Sequence, residues 1–199
     1  MAKVIDIRPI KKKLRAEARE MRRSMSPEKK TLLDRKIKSK LLNLWAVREA
    51  EAVLCYVSTE IEVDTREVIN TLLKNGKRVA VPRCEGEKSD MNFYFINSLD
   101  ELSPGSFGVD EPEPSDELRV KVTENTVCIV PAFLFDENGY RLGYGKGYYD
   151  RYLSHYHGST IGICYDDNLK DRLFHGKYDR HVDMVVTDKR IIDTQDCSK

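Results

Sequence analysis

The spacing of apolar residues changes character along the chain. Ile10, Leu14, Ala18 and Met21 recur three or four residues apart, which puts them on one face of a helix that begins near Pro9. Ser26-Pro27-Glu28 then restarts the chain with a capping serine and a proline at the first helical position, where the missing N–H has no partner to lose. The pattern predicts a second helix from about Pro27 to Trp45, with Leu32, Leu33, Ile37, Leu41 and Leu44 inward and the lysines outward. Together these N-terminal helices take up about residues 8–46.

Beyond them the signal is that of strands. Ala52-Val53-Leu54-Cys55-Tyr56-Val57 is apolar without alternation, as in a strand covered on both faces. Thr65 to Asn75 reads as a helix closed by Gly76, and Arg78 to Pro82 as the next buried strand. Met91 to Ile96 alternates and suits a sheet edge. Val127 to Pro131, Ile161 to Tyr165 and Met184 to Thr187 are further buried strands, and a helix runs from Tyr148 to His155. Ser103 to Ser115 is too rich in proline, glycine and acid for either element and reads as an ordered loop over the surface or over a site. The alternation predicts one α/β domain over residues 1–199, with a mainly parallel sheet flanked by helices, its core at about 51–190 and a C-terminal tail at 191–199.

Composition narrows the function. With 34 basic against 33 acidic residues the net charge is +1, too small for a protein that wraps a phosphate backbone, so no nucleic-acid partner is expected. No apolar run reaches the length of a membrane span, and the first residues lack the apolar core of a secretion signal. A soluble cytoplasmic protein, monomeric or weakly dimeric, is the expectation. The five cysteines form no C-x-x-C pair and read as reduced, mostly buried residues, with Cys197 in the tail. His155, His157, His175 and His181 have neither triad nor metal spacing.

The chemistry concentrates between Pro131 and Arg151, where a strand ends and a helix begins, the place where α/β sheets hold ligands. Gly143, Gly145 and Gly147 alternate with Tyr144 and Lys146, so that backbone N–H groups and a lysine charge can cradle an anion. The spacing matches neither the dinucleotide nor the Walker fingerprint, and a plain glycine turn beside a core helix is the alternative. Arg141 and Tyr148-Tyr149-Asp150-Arg151 crowd the same turn, and a carboxylate beside a phosphate site suits Mg²⁺. Lys11-Lys12-Lys13 taken alone reads as a solvated helix face or a basic tag for nucleic acid, and Asp64 as a helix cap or a substrate contact. The tyrosines from Tyr140 to Tyr156 can be core or rim.

RLGYGKGYYDRYL, preceded by VPAFLFDENGY, resembles the signature of the 5-formyltetrahydrofolate cyclo-ligases. Lys11-Lys12-Lys13-Leu14-Arg15, Glu62-Val63-Asp64-Thr65, Val81-Pro82-Arg83, Met91-Asn92-Phe93 and Gly108 to Pro112 follow in the family's order, so the resemblance covers essentially the whole chain. It implies an architecture like that of sugar-phosphate isomerases and CoA-transferases. It also implies ATP- and Mg²⁺-dependent closure of 5-formyltetrahydrofolate to 5,10-methenyltetrahydrofolate through a phosphorylated formyl group, an iminium phosphate.

By resemblance the nucleotide meets Lys11, Lys12, Lys13, Leu14 and Arg15 on the first helix and Arg141, Leu142, Gly143, Tyr144, Gly145, Lys146, Gly147, Tyr148 and Tyr149 on the glycine turn. Lys146, Arg141 and Tyr148 carry the catalytic roles, and Val57, Glu62 and Tyr148 contact the folate. Asp150 and Asp179 are the metal carboxylates, Asp179 being preferred to Asp183 although the chain has Tyr178-Asp179 where the family commonly has His-Asp. Two other readings compete: a non-catalytic nucleotide- or RNA-binding relative, expected to lose Lys146, Asp150 or the basic first helix, and an isomerase or transferase that needs no ATP.

Overall fold

The structure, a computed structural model, describes residues 6–85, 90–121 and 123–194. Three helices open the chain: α1 (Arg8–Arg23), α2 (Pro27–Asn43) and the short α3 (Trp45–Glu49). The Ser26 hydroxyl caps α2 by accepting from the Lys29 N–H at 3.2 Å. Then come β1 (Ala52–Cys55), α4 (Arg66–Lys74), β2 (Arg78–Glu85), β3 (Asp90–Ile96), β4 (Ser103–Pro104), β5 (Asp110–Glu111) and β6 (Thr126–Val130). The chain continues through β7 (Leu134–Asp136), β8 (Arg141–Leu142), α5 (Tyr148–Leu153), β9 (Ser159–Ile163), β10 (Leu169–Lys170), β11 (Met184–Val186) and β12 (Ile191–Asp193).

Seven strands form the main sheet in the order β12-β11-β9-β6-β1-β2-β3. The five central strands are mutually parallel, and only β12 and β3, the two edges, run antiparallel to their neighbours. Both faces are covered, which is why β1 and β6 lack alternation. Val53 and Cys55 face a core shared with α2 and α4, whereas Leu54 faces one shared with the aromatic residues of α5. The chain order reverses between β1 and β6: β2 lies on one side of β1, while β6 and then β9 follow on the other. Such a switch point leaves a crevice at the carboxyl ends of the strands.

Several details differ from the periodicity. Leu32 is 54% exposed, and Asp34 is buried in its stead. The rest of the predicted stripe, Leu33, Ile37, Leu41 and Leu44, packs inward, and beside it the Asp34 carboxylate is satisfied by the Tyr165 hydroxyl at 2.8 Å and the Lys30 ammonium at 2.7 Å. Asp64 caps α4, accepting the Arg66 N–H at 2.9 Å. Within 103–115 the chain forms a tiny antiparallel pair, β4 with β5. β12 lies where a tail was expected, adding an antiparallel edge to β11.

A second, three-stranded sheet, β10-β7-β8, rests on the 134–142 hairpin. At its turn Asp136 accepts the N–H groups of Asn138 (3.0 Å) and Tyr140 (2.8 Å), and Gly139 has φ +80 where a Cβ would stand 2.4 Å from the Val182 carbonyl. α1 packs Leu14 and Ala18 on this small sheet. Buried Arg22 anchors its end, donating to the carbonyls of Ala132 (2.7 Å) and Phe133 (2.9 Å).

Among the described residues no helix is long and apolar enough to cross a membrane. Cys55, Cys128 and Cys164 are buried, and burial pushes the Cys164 thiol up to about 12, so these are packing residues. Cys197 lies outside the described residues.

Candidate active site

A cleft of about 590 Å³ opens where the carboxyl ends of β1, β2 and β6 meet α1 and the 143–147 loop. Lys11 and Arg15 line it from α1. They are four residues apart and therefore on one helical face, which turns Lys12 and Lys13 away. Those two lysines are exposed, Lys13 pairing with Glu17 at 3.8 Å, and Leu14 packs into the core under α1. The structure thus brings two of the five residues Lys11 to Arg15 to the cleft.

All of Arg141 to Asp150 lines the cleft, together with Asp179. Arg141, 8% exposed, is fixed by two partners: its guanidinium donates to Asp150 Oδ1 at 2.7 Å and to the Arg180 carbonyl at 2.5 Å. The Arg180 N–H also donates to Asp150 Oδ1, at 3.1 Å. The turn that follows needs glycine at 145, where φ is +91 and the Arg15 guanidinium lies 3.3 Å from where a Cβ would sit. The Gly143 carbonyl accepts from Arg15 Nε at 2.7 Å, tying the loop to α1. α5 begins directly after the loop at Tyr148 but ends at Leu153, short of the predicted His155.

Charges in the cleft are matched across long stretches of chain. The Lys11 ammonium pairs with Asp179 at 2.5 Å, and the Gly176 N–H donates to the same carboxylate at 2.8 Å. Burial would raise the Asp179 pKa, but these two partners outweigh it and hold it below the usual carboxylate range. Desolvation draws the Arg15 pKa down, an opposing pull coming from Asp179. Asp183, by contrast, accepts from the N–H and hydroxyl of Thr160, both at 2.8 Å, at the start of β9.

Val57 and Glu62 line the other wall. Glu62 is 5% exposed; its Oε2 accepts the Thr59 N–H at 2.8 Å and hydroxyl at 2.9 Å, and its Oε1 accepts the Tyr144 hydroxyl at 2.6 Å. Burial, reinforced by the neighbouring Glu62 charge, pushes the Tyr144 phenol well above its ordinary value. The Tyr149 hydroxyl is buried with no hydrogen-bond partner among the described residues, a polar group that a ligand atom or water would satisfy. Cys84, Ser106, Val109 and Glu111 complete the wall. The loop over 103–115 therefore does cover a site, but Cys84 was not foreseen as a lining residue. Its signal was the continuation of β2 past Pro82, where Cys84 pairs in register with Met91.

The donor set suits a nucleotide with a divalent cation. Asp150 and Asp179 present carboxylates to the same cleft, the hard oxygen donors that Mg²⁺ takes beside phosphate. No cluster of three or more His, Cys, Asp or Glu groups able to cage a metal occurs among the described residues.

A sequence model of the 5-formyltetrahydrofolate cyclo-ligase family matches residues 7–188. The 5-formyltetrahydrofolate cyclo-ligase of Escherichia coli K12 is 29% identical over 178 residues, covering 87% of this chain and 97% of that one. A probable 5-formyltetrahydrofolate cyclo-ligase of Schizosaccharomyces pombe is 32% identical over 151 residues, 66% of this chain and 71% of that one. The NMR structure of Aquifex aeolicus 5,10-methenyltetrahydrofolate synthetase superposes with a TM-score of 0.82 at 33% identity, covering 94% of this chain and 93% of that one. The switch-point cleft, the glycine turn with its flanking charges and this agreement over nearly the full length converge: the chain belongs to the 5-formyltetrahydrofolate cyclo-ligase family.

Proposed function

We propose that the protein closes 5-formyltetrahydrofolate to 5,10-methenyltetrahydrofolate, consuming ATP and releasing ADP and phosphate. The observation that carries this is the convergence in one cleft of the cationic face of α1, the glycine turn with Lys146, the Arg141–Asp150 pair, Asp179 and buried Glu62. A formyl oxygen on an amide nitrogen is a poor leaving group. In this reading it attacks the γ-phosphorus and displaces ADP, leaving an iminium phosphate. N10 then attacks the formyl carbon, the C–O bond breaks, phosphate departs with the former formyl oxygen and N10 loses its proton.

Little covalent chemistry falls to the protein, so its residues act by position and charge. Lys11 and Arg15 reach the phosphates, while Lys146 and Arg141 neutralise charge as it develops at the transferred group. Glu62 accepts from the pterin's amino and ring N–H donors, Val57 gives the ring an apolar surface and Tyr148 fixes its position. Asp150 and Asp179 would hold Mg²⁺, which would supply further charge neutralisation. Of the five residues Lys11 to Arg15, only Lys11 and Arg15 have this role in our reading. The whole chain forms one catalytic domain, a cytoplasmic monomer or weak dimer that takes no nucleic acid.

The test is the absorbance of the methenyl product in a mixture of protein, 5-formyltetrahydrofolate and Mg²⁺, with and without ATP. A rise that requires ATP is expected. A folded protein that binds ATP but gives no rise would be a non-catalytic relative, and a rise without ATP would remove the phosphorylation step.

A further inference from the structure

The two oxygens of the Glu62 carboxylate are used differently. Oε2 serves its own turn, accepting from Thr59 twice, whereas Oε1 is held by the Tyr144 hydroxyl, 82 residues away in sequence. Tyr144 is not a core residue: it is 46% exposed, its ring leans on Phe133 with centroids 4.5 Å apart, and the left-handed Gly145 follows it directly. The same short loop meets Arg15 on its other side, through the Gly143 carbonyl at 2.7 Å. One loop therefore engages both the acid assigned to the folate and the guanidinium assigned to the nucleotide.

A pterin edge offers an amino group and a ring N–H, donors that a carboxylate oxygen accepts. Thr59 donates twice to Oε2, so a pterin donor needs Oε1, the oxygen that Tyr144 holds. A buried carboxylate left short of a donor is costly, and one donor leaves as another arrives. We propose that Tyr144 is a gating residue whose hydroxyl competes with the pterin for Glu62. Its release moves the Gly143–Gly147 loop on Arg15, so that folate and nucleotide promote each other's binding. Whichever ligand binds first shifts the loop, and the second then binds without that cost; the coupling is the same in both directions. The proposal rests on the assignment of Glu62 to the folate.

Tyr144→Phe keeps the ring on Phe133 and deletes the hydroxyl. The experiment measures 5-formyltetrahydrofolate affinity by calorimetry, with and without a non-hydrolysable ATP analogue, in the wild-type protein, Tyr144→Phe and Glu62→Gln. Tyr144→Phe is expected to bind the folate alone roughly three- to tenfold more tightly, the net scale of one hydrogen bond. The enhancement by the analogue should shrink correspondingly. Tightening is a result that mere structural damage does not produce. Equal or weaker folate binding by Tyr144→Phe, or an undiminished enhancement, overturns the gate. Unchanged folate affinity in Glu62→Gln instead overturns the assignment of Glu62 itself. Weaker binding there without tightening in Tyr144→Phe rejects the gate alone.

Discussion

Along β1 and β6 every residue is buried, and apolar contacts on both faces hold the strands. A few residues beyond the same carboxyl ends, Glu62 and Arg141 are almost as deeply buried but charged. In the sheet a side chain is replaceable by anything of the same volume and polarity. In the cleft each charge is tolerable because a named partner stands beside it: Asp150 and the Arg180 carbonyl for Arg141, Thr59 and Tyr144 for Glu62. Packing and charge pairing thus hold neighbouring segments of the chain through different physics, and substitutions can separate them.

The largest effect expected is on the sheet side. Ile129→Ala in central β6, at 0% exposure, should cost about 2–5 kcal/mol of unfolding free energy in denaturant titration. The folded fraction should keep its KM values for both substrates, and a changed KM would mean that the core and the cleft are not separable. On the cleft side, Arg141→Ala should lower kcat by roughly a hundredfold or more, since in the proposed mechanism it removes a charge that neutralises the transferred group, and it leaves Asp150 without its guanidinium partner. Steady-state rates near wild type would contradict its placement. Lys11→Ala combined with Arg15→Ala should raise KM for ATP by about tenfold while moving KM for the folate far less. Equal changes in both constants would take the phosphate role away from α1.

The smallest effect is a pH dependence. Because the folded pKa of Asp179 lies below its ordinary value, its pairing with Lys11 adds stability that is present above about pH 4 and is lost as the pH falls through the lower, folded value. Acid titration of wild type against Asp179→Asn should show a modest extra loss in the wild type confined to that acid range. A divergence near neutral pH would point to a different group. The pair is partly exposed, so added salt should reduce the difference.

The same contrast explains what the sequence reveals. The buried strands are legible because a sheet covered on both faces leaves uninterrupted apolar runs, whereas Lys11 to Arg15 enter by resemblance and only the helix turned in place separates Lys11 and Arg15 from the other three. The 134–142 hairpin escapes because strands of three and two residues are too short to show a period, although Asn138-Gly139 is a turn signal. Leu32 misleads because its predicted place is taken by an aspartate whose partner, Tyr165, is 131 residues away. The charge pairing of the cleft is hidden for the same reason: Lys11 and Asp179 are 168 residues apart, and Glu62 and Tyr144 are 82 apart. Residue types and spacings announce which groups carry charge; only the fold says which of them meet.

The central claim is that this cleft joins the formyl oxygen to the γ-phosphate. Its most direct test is a single turnover with 5-formyltetrahydrofolate carrying a heavy oxygen isotope in the formyl group, followed by mass analysis of the released phosphate. The account predicts that the label appears in inorganic phosphate in step with methenyl product. Product formed with the label lost to water and none in phosphate would contradict it.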